Sequence, residues 1–123
     1  MLLKVDPCPK PRMTRSDAWK KRPAVMRYWD FADKVREQMD HLSRENPEKQ
    51  TDSIMLTFGI PIPKSKSKKF RKENLGKKHR SKPDLDNFVK AILDVIYADD
   101  SHISEIHARK VWSDEGYILM NWI

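Results

Sequence analysis

Residues 84–96 read DLDNFVKAILDVI, and this stretch sets the centre of the predicted fold. Its apolar residues recur at intervals of three and four, the repeat expected for one face of an α-helix. They are Leu85, Phe88, Val89, Ile92, Leu93 and Ile96. We expect this face to lie in the core. Asp84 is the predicted N-cap, because an aspartate side chain can accept hydrogen bonds from the free amides at a helix start.

A longer amphipathic helix and one clear strand are predicted upstream. Pro23 suits the first position of a helix, and the apolar residues after it again repeat every three or four positions. They are Val25, Tyr28, Ala32, Val35, Met39 and Leu42. Between residues 53 and 62 the repeat changes to two, which predicts a strand with one apolar face. That face carries Ile54, Leu56, Phe58, Ile60 and Ile62.

Shorter elements complete the pattern. Leu2, Leu3 and Val5 predict a brief first strand, and residues 67–75 predict a short basic helix that Gly76 ends. Residues 103–112 and 117–123 predict two strands, and the loop 113–116 between them favours a hairpin. The order β-α-β-(short α)-α-β-β indicates a single α+β domain over residues 1–123, with two to three helices and a small, mainly antiparallel sheet.

Size and charge restrict the functions that this chain can have. Its 123 residues allow one domain with a modest core, so that a homodimer would add buried surface. The formal charge of +7 favours an anionic partner, and nucleic acid is the commonest one. No apolar run is long enough to span a membrane. The single cysteine, Cys8, excludes an internal disulfide and a cysteine-based zinc site, and a reducing cytoplasm fits best.

Residues 64–82 form a basic segment with ten lysines and arginines and one acid, Glu73. We expect it to contact phosphates without reading base sequence, with binding that weakens as salt increases. A segment that only solubilises the protein is the alternative. The candidate DNA contacts are Lys66, Lys68, Lys69, Arg71, Lys72, Lys77, Lys78, Arg80 and Lys82, with Arg12 and Arg15 from the first loop as a second surface. Phe70 could stack on bases or pack on the protein, and His79 could contact phosphate.

Acidic residues follow the basic segment directly. Asp84, Asp86 and Lys90 lie at the start of the central helix, and Asp99 and Asp100 come after its end. Each has a structural interpretation, namely a helix cap, a surface ion pair or a turn. If they gather, their repulsion is relieved by a cation, and Mg²⁺ prefers such hard oxygen ligands. A bound Mg²⁺ could activate water and polarise a phosphate. His102 could assist as a ligand or base.

The segment KPDLDNFVK (residues 82–90), followed by Leu93-Asp94 and by DDSHI (residues 99–103), resembles the signature of the RusA-type Holliday junction resolvases, common in phages and prophages. Residues 61–76 also resemble the basic insertion of that family. The similarity extends from about residue 53 to the last residue.

The resemblance implies a homodimeric, Mg²⁺-dependent endonuclease that nicks four-way DNA junctions symmetrically in recombination and repair. Mn²⁺ is expected to substitute for Mg²⁺. By matching positions, Asp84, Asp86 and Asp100 are the expected metal ligands and Lys90 the functional lysine, with Asp99 auxiliary.

The stretch between the central helix and Asp99 is shorter here than in the family. It therefore requires either a tight turn or a helix that ends early. The first strand is also short.

Two further functional interpretations remain open. In the first, the chain is a basic junction-binding protein whose aspartates are structural. In the second, it is a restriction-type nuclease that uses Asp84, although no well-placed Glu-x-Lys follows that residue.

Overall fold

The structure, a computed structural model, describes residues 1–12, 14, 15, 21–42 and 52–123. In these residues the chain forms four strands and three helices. The strands are β1 (Leu2–Leu3), β2 (Ser53–Pro61), β3 (Glu105–Ser113) and β4 (Tyr117–Trp122), and the helices are α1 (Pro23–Leu42), α2 (Lys68–Asn74) and α3 (Leu85–Ile96). The predicted order of elements and the α+β class are confirmed.

The four strands form one sheet in the order β1-β4-β2-β3. β4 pairs antiparallel with both β1 and β2, whereas β2 pairs in parallel with β3 from Ser53–Glu105 to Pro61–Ser113. Parallel strands need a long crossover connection. Here that connection contains α2 and α3, so that the basic segment and the acidic helix both belong to one β-α-β crossover.

The predicted hairpin between β3 and β4 is wrong. β2 lies between these two strands, and the loop after Ser113 passes across the end of β2 before β4 begins opposite Gly59. β2 takes the inner position because it can be buried on both faces: Phe58 on one face and Thr57 on the other are both buried. Gly59 also leaves room for the ring of Tyr117, which a side chain at position 59 would strike.

The core lies between one face of the sheet and helices α1 and α3. Phe58 of β2 stacks on Phe88 of α3 with ring centroids 5.5 Å apart, and Val25 and Val35 of α1 are fully buried. The predicted apolar faces of β2 and α3 therefore point inward. The opposite face of the sheet is more open, since Met55 of β2 keeps 44% of its surface exposed.

The short helix α2 has the two ends that its sequence predicts. The Ser67 hydroxyl accepts a hydrogen bond from the backbone N–H of Phe70 (3.1 Å), which satisfies one free amide of the first turn. Gly76 follows the helix at φ +80°, a conformation that favours glycine. Within the described ranges, no helix is both long enough and apolar enough to cross a bilayer.

Candidate active site

The start of α3 presents two aspartates to solvent. Asp84 is the N-cap by backbone conformation, as predicted, but its side chain makes no capping hydrogen bond. Asp86 is exposed in the first helical turn. The amide dipoles of a helix start favour negative charge at this position. Both carboxylates are therefore held by the backbone near a helix N-terminus, while their oxygens are not used in capping it.

Three of the predicted catalytic residues line the same pocket, which has a volume of about 570 Å³. Asp86 and Lys90 come from one flank of α3, and Asp100 comes from the turn after it. The remaining lining residues are apolar: Leu85, Val89, Ile106 and Ala108. Ile106 and Ala108 alternate along β3, which puts both on the sheet face that carries α3. The pocket thus combines an apolar floor with a few charged groups, an arrangement typical of binding sites.

The charged groups of this pocket have no ion-pair or hydrogen-bond partner among the described side chains. Asp86 and Lys90 are four residues apart on α3, yet no ion pair joins them. Asp30 and Lys34 have the same spacing on α1 and do form an ion pair, at 3.0 Å. The surface-pair interpretation of Asp86 and Lys90 is therefore not realised in this conformation. Their charges stay available to a ligand.

The turn after α3 gives Asp99 and Asp100 different surroundings. α3 runs to Ile96 and Tyr97 is its C-cap, so that the short connection is a tight turn rather than an early helix end. Asp99 Oδ1 accepts a hydrogen bond from the backbone N–H of Ser101 (2.9 Å), which lowers the pKa of Asp99. The backbone oxygen of Asp100 accepts from Ile103 N–H (3.0 Å). The Asp100 carboxylate thus remains free at the pocket, while that of Asp99 stabilises the turn.

The buried Tyr97 and the half-buried His102 support this turn. The Tyr97 hydroxyl accepts a hydrogen bond from Trp122 Nε1 (2.7 Å), and the His102 ring lies edge-on against Tyr97 with centroids 4.9 Å apart. His102 does not line the pocket. The structure therefore places it in packing contact with the core, next to the site rather than in it.

Across the described ranges, no group of three or more His, Cys, Asp or Glu residues lies close enough together to hold a metal ion. Asp84, Asp86, Asp99 and Asp100 are thus not gathered into one cluster of ligands. Asp86 and Asp100 share the pocket. Asp84 lies two residues before Asp86, at the N-cap of α3, and the Asp99 carboxylate is bonded to Ser101 within the turn.

The basic segment packs along β3 beside the pocket. Trp112 accepts a hydrogen bond from Gly76 N–H (2.9 Å) and donates one to Lys77 O (2.9 Å), and His79 N–H donates to Lys110 O (3.1 Å). These bonds pair residues 76–79 with the edge of β3 that faces away from β2. They fix the backbone of the segment while most of its basic side chains stay exposed: Lys66, Lys68, Lys69, Lys72, Lys77, Lys78, Arg80 and Lys82.

Some candidate DNA contacts already interact with other protein groups. Arg71 is half-buried, with its guanidinium 3.5 Å from Asp114 and 3.4 Å from the Pro63 carbonyl. Lys66 lies over the ring of Phe70, with Nζ 5.1 Å from the centroid. Arg12 and Arg15 are exposed in the first loop. The basic side chains of the segment that have no protein partner in the described structure are therefore mainly lysines.

The aromatic residues of this segment pack on Trp112. Phe70 meets the Trp112 ring edge-on at 5.5 Å, and His79 meets it at 4.4 Å. His79 is only 5% exposed, and this burial, with the nearby charge of Lys110, lowers the pKa of His79. The suggestion that His79 contacts phosphate is wrong for this conformation, because its ring is covered. Phe70 packs on the protein, which is one of the two roles predicted for it.

Lys10 is a contact residue that the sequence did not reveal. Its Nζ lies 3.1 Å from Asp94 of α3 and 3.3 Å from the Tyr28 hydroxyl of α1, and its backbone N–H donates to Asn87 O (3.3 Å). Burial opposes the charge of Lys10, but the bonds to Asp94 and Tyr28 outweigh it and raise the pKa of Lys10. A lysine among prolines carries no pattern that predicts such a contact.

Comparison with protein families gives the site a class. A mixed α+β domain with free carboxylates beside exposed lysines has the features of a nucleic-acid-processing enzyme. The family model described as Endodeoxyribonuclease RusA matches residues 4–120. The chain therefore belongs to the RusA family of endodeoxyribonucleases, which confirms the resemblance drawn from its motifs. No match was found among curated proteins or among solved structures.

Proposed function

We propose that this protein is a divalent-metal-dependent endonuclease that resolves four-way DNA junctions. The observation that supports it most is the pocket shared by Asp86, Lys90 and Asp100. This pocket lies beside the exposed lysines of the basic segment, which β3 holds in place. Membership of a DNA endonuclease family supplies the class of reaction.

The donor set fits Mg²⁺. This ion keeps several waters and is usually bound through one or two carboxylates together with phosphate oxygens, so a complete protein cage is not required. Asp86 and Asp100 would supply the carboxylates, and waters and phosphate oxygens would complete the ligands, because the structure does not group Asp84 with these two residues. When bound, Mg²⁺ supplies Lewis acidity and lowers the pKa of an attacking water. Mn²⁺ should substitute, because it takes the same oxygen ligands.

Each protein group has a separate part in this proposal. The carboxylates hold the positive charge at the scissile phosphate. Lys90 places an ammonium group at the pocket, where negative charge grows on the phosphate during cleavage. Asp99 stabilises the turn that carries Asp100, through its hydrogen bond with Ser101.

The proposed substrate is branched DNA held by its phosphates. Exposed lysines bind the backbone without reading bases, so the shape of the junction would select the substrate. Arg12 and Arg15 would extend the contact. A homodimer with two-fold symmetry would set two such sites on opposite strands and give paired nicks. We place this activity in DNA recombination and repair in the cytoplasm.

A nicking assay tests the proposal directly. Purified protein is incubated with a synthetic four-way junction and with a linear duplex of matched sequence, in Mg²⁺, in Mn²⁺ and in EDTA. We expect paired nicks in the junction with either metal and none in EDTA. Equal cutting of both DNAs would contradict junction selectivity, and junction binding without any cutting would support the binding-only alternative.

The assay needs a variant that separates binding from cleavage. Asp86→Asn should abolish cutting and leave junction binding intact or tighter, because it removes a negative charge beside the DNA. Asp33→Asn is the matched control, since Asp33 is an exposed aspartate on α1. Loss of cutting in both variants would show that cleavage does not depend specifically on the pocket.

A further inference from the structure

Lys110 is a lysine on the core side of a strand. It pairs with Phe58 across the β2–β3 register, and the Phe58 side chain is fully buried against α3. Paired positions in neighbouring strands point to the same face of a sheet. Lys110 is accordingly half-buried. An ammonium group in such surroundings is costly unless it is hydrogen-bonded.

The ammonium group of Lys110 binds two backbone carbonyls just ahead of α3. Its Nζ donates to Pro83 O at 2.7 Å and also to Ser81 O. An ammonium has three donors, so two of them are used by these carbonyls. Pro83 is the residue before Asp84, and its carbonyl belongs to the peptide that joins the two. The contact therefore fixes the chain at the point where the acidic turn of α3 begins.

In the described part of the chain, backbone hydrogen bonds do not hold this point. They tie Gly76, Lys77 and His79 to β3, and α3 provides its own bonds from Asn87 onward, starting with Asn87 N–H to Asp84 O at 3.2 Å. In the described residues, Lys110 is the side chain that spans the interval from Ser81 to Pro83. Without it, the entry to α3 would be anchored only at its two ends.

We infer that Lys110 is a positioning residue, which fixes the entry to α3 and thereby the placement of Asp84 and Asp86 in the candidate active site. This inference rests on the proposed function for its effect on cleavage, but the local anchoring can be tested without any activity. Because its ammonium is occupied, Lys110 is distinct from the free lysines of the basic segment. It should contribute little to DNA binding.

Hydrogen exchange tests the anchoring. Lys110→Met keeps the length of the side chain and removes the donors. Losing two hydrogen bonds from a charged group should speed exchange of the Asn87 amide, which bonds the Asp84 carbonyl at the helix entry, by about tenfold or more. Amides in β2 and β4 should keep their rates. Lys110→Gln, whose uncharged amide keeps two donors on a shorter side chain, should give intermediate rates. Lys110→Gln also provides the exchange measurement if Lys110→Met does not fold. Rates equal to wild type would overturn the inference.

Kinetics test the consequence for the site. Misplacement of the carboxylates should lower kcat by about tenfold to a hundredfold. The junction Kd and its salt dependence should stay unchanged. Lys110→Arg should restore part of kcat, because a guanidinium can also donate to two carbonyls. Lys34→Met on α1 is the control for losing one positive charge. A weaker Kd with a shallower salt slope would overturn the inference by making Lys110 a phosphate contact.

The two measurements separate the two proposals. If wild-type protein cuts no junction under any metal condition, the proposed function fails. The exchange rate of the Asn87 amide still decides whether Lys110 anchors the entry to α3. If wild type cuts and Lys110→Met cuts equally well, the positioning inference fails while the proposed function stands.

Discussion

The two halves of β3 present different surroundings on the face that carries α3. The first half, with Ile106 and Ala108, forms the floor of the pocket lined by Asp86 and Asp100. The second half, with Lys110 and Trp112, is covered by residues 76–83. In the covered half, the charged Lys110 has protein partners. In the open half, the carboxylates have none among the described side chains.

This difference separates groups that hold the fold from groups that are available to a ligand. An exposed charge without a protein partner is solvated by water and contributes little to stability, so it remains available to a ligand. The same distinction recurs in the turn after α3, where Asp99 is bonded and Asp100 is free. We therefore expect substitutions in the open half to change activity and substitutions in the covered half to change stability.

The largest expected effect concerns the two neighbouring aspartates. Asp100→Asn should reduce cleavage by about a hundredfold or more, because it removes a proposed metal ligand and several kcal/mol of charge stabilisation. Asp99→Asn should change cleavage little, since its amide oxygen can still accept the bond from Ser101. Single-turnover cleavage of a four-way junction measures both. An equal loss in the two variants would break the contrast between the free and the bonded carboxylate.

Substitutions in the covered half of β3 should lower the free energy of unfolding. Trp112→Ala removes the surface on which Phe70 and His79 pack, and we expect a loss of about 2 kcal/mol in the free energy of unfolding, below the value for a fully buried tryptophan. Urea denaturation measures it. Ile106→Ala in the open half is the comparison, and its loss should be smaller because the side chain is 41% exposed. The reverse order of the two losses would contradict our description of β3.

The basic segment allows the same contrast between free and paired charges. Lys72→Ala should lower the slope of log Kd against log salt by about one unit, because the variant binds one phosphate fewer. Arg71→Ala should lower it less, because Arg71 already interacts with Asp114 and the Pro63 carbonyl. Junction binding titrated at several salt concentrations measures both slopes. A larger change for Arg71 would show that DNA displaces its protein partners.

The smallest expected effect is a pH dependence of stability from His79. Burial and then the charge of Lys110 lower the pKa of His79, so the unfolded chain binds the proton more readily than the folded one. Stability from this residue is complete above the unfolded pKa of about 6.5 and is lost as pH falls through the lower folded value. His79→Phe should lose less stability than wild type between pH 7 and pH 5. Urea denaturation across this range measures the difference, and parallel curves would exclude a contribution from His79.

Much of the fold follows from repeats in the sequence. The apolar faces of β2 and α3 and the ends of α2 all have local signals that the structure confirms. The pairing of strands has no such local signal. A short loop between β3 and β4 predicts a hairpin, but the burial of both faces of β2 places that strand between them. The crossover through α2 and α3 was the available clue, since it permits parallel pairing of β2 with β3.

The candidate site shows a similar limit. Motifs point to Asp84, Asp86, Lys90, Asp99 and Asp100. The structure brings Asp86, Lys90 and Asp100 to one pocket and leaves the other two outside it. The different surroundings of Asp99 and Asp100, which are neighbours in sequence, depend on the path of one turn. Lys10 and Lys110 bind partners far away in the chain. In sequence each is one more lysine in a basic protein, and only tertiary contacts distinguish them from the free ones.

The parallel pairing of β2 with β3 also governs when the site can form. Thr57 and Arg109, which pair across these strands, are 52 positions apart in the chain. Pairings of such sequence separation form slowly, because the intervening chain must be closed into a loop first. Ile106 and Ala108 reach the pocket only through this pairing. A partly folded chain with a finished α3 and an unpaired β3 therefore has carboxylates but no pocket, and the candidate active site is complete only when the sheet closes.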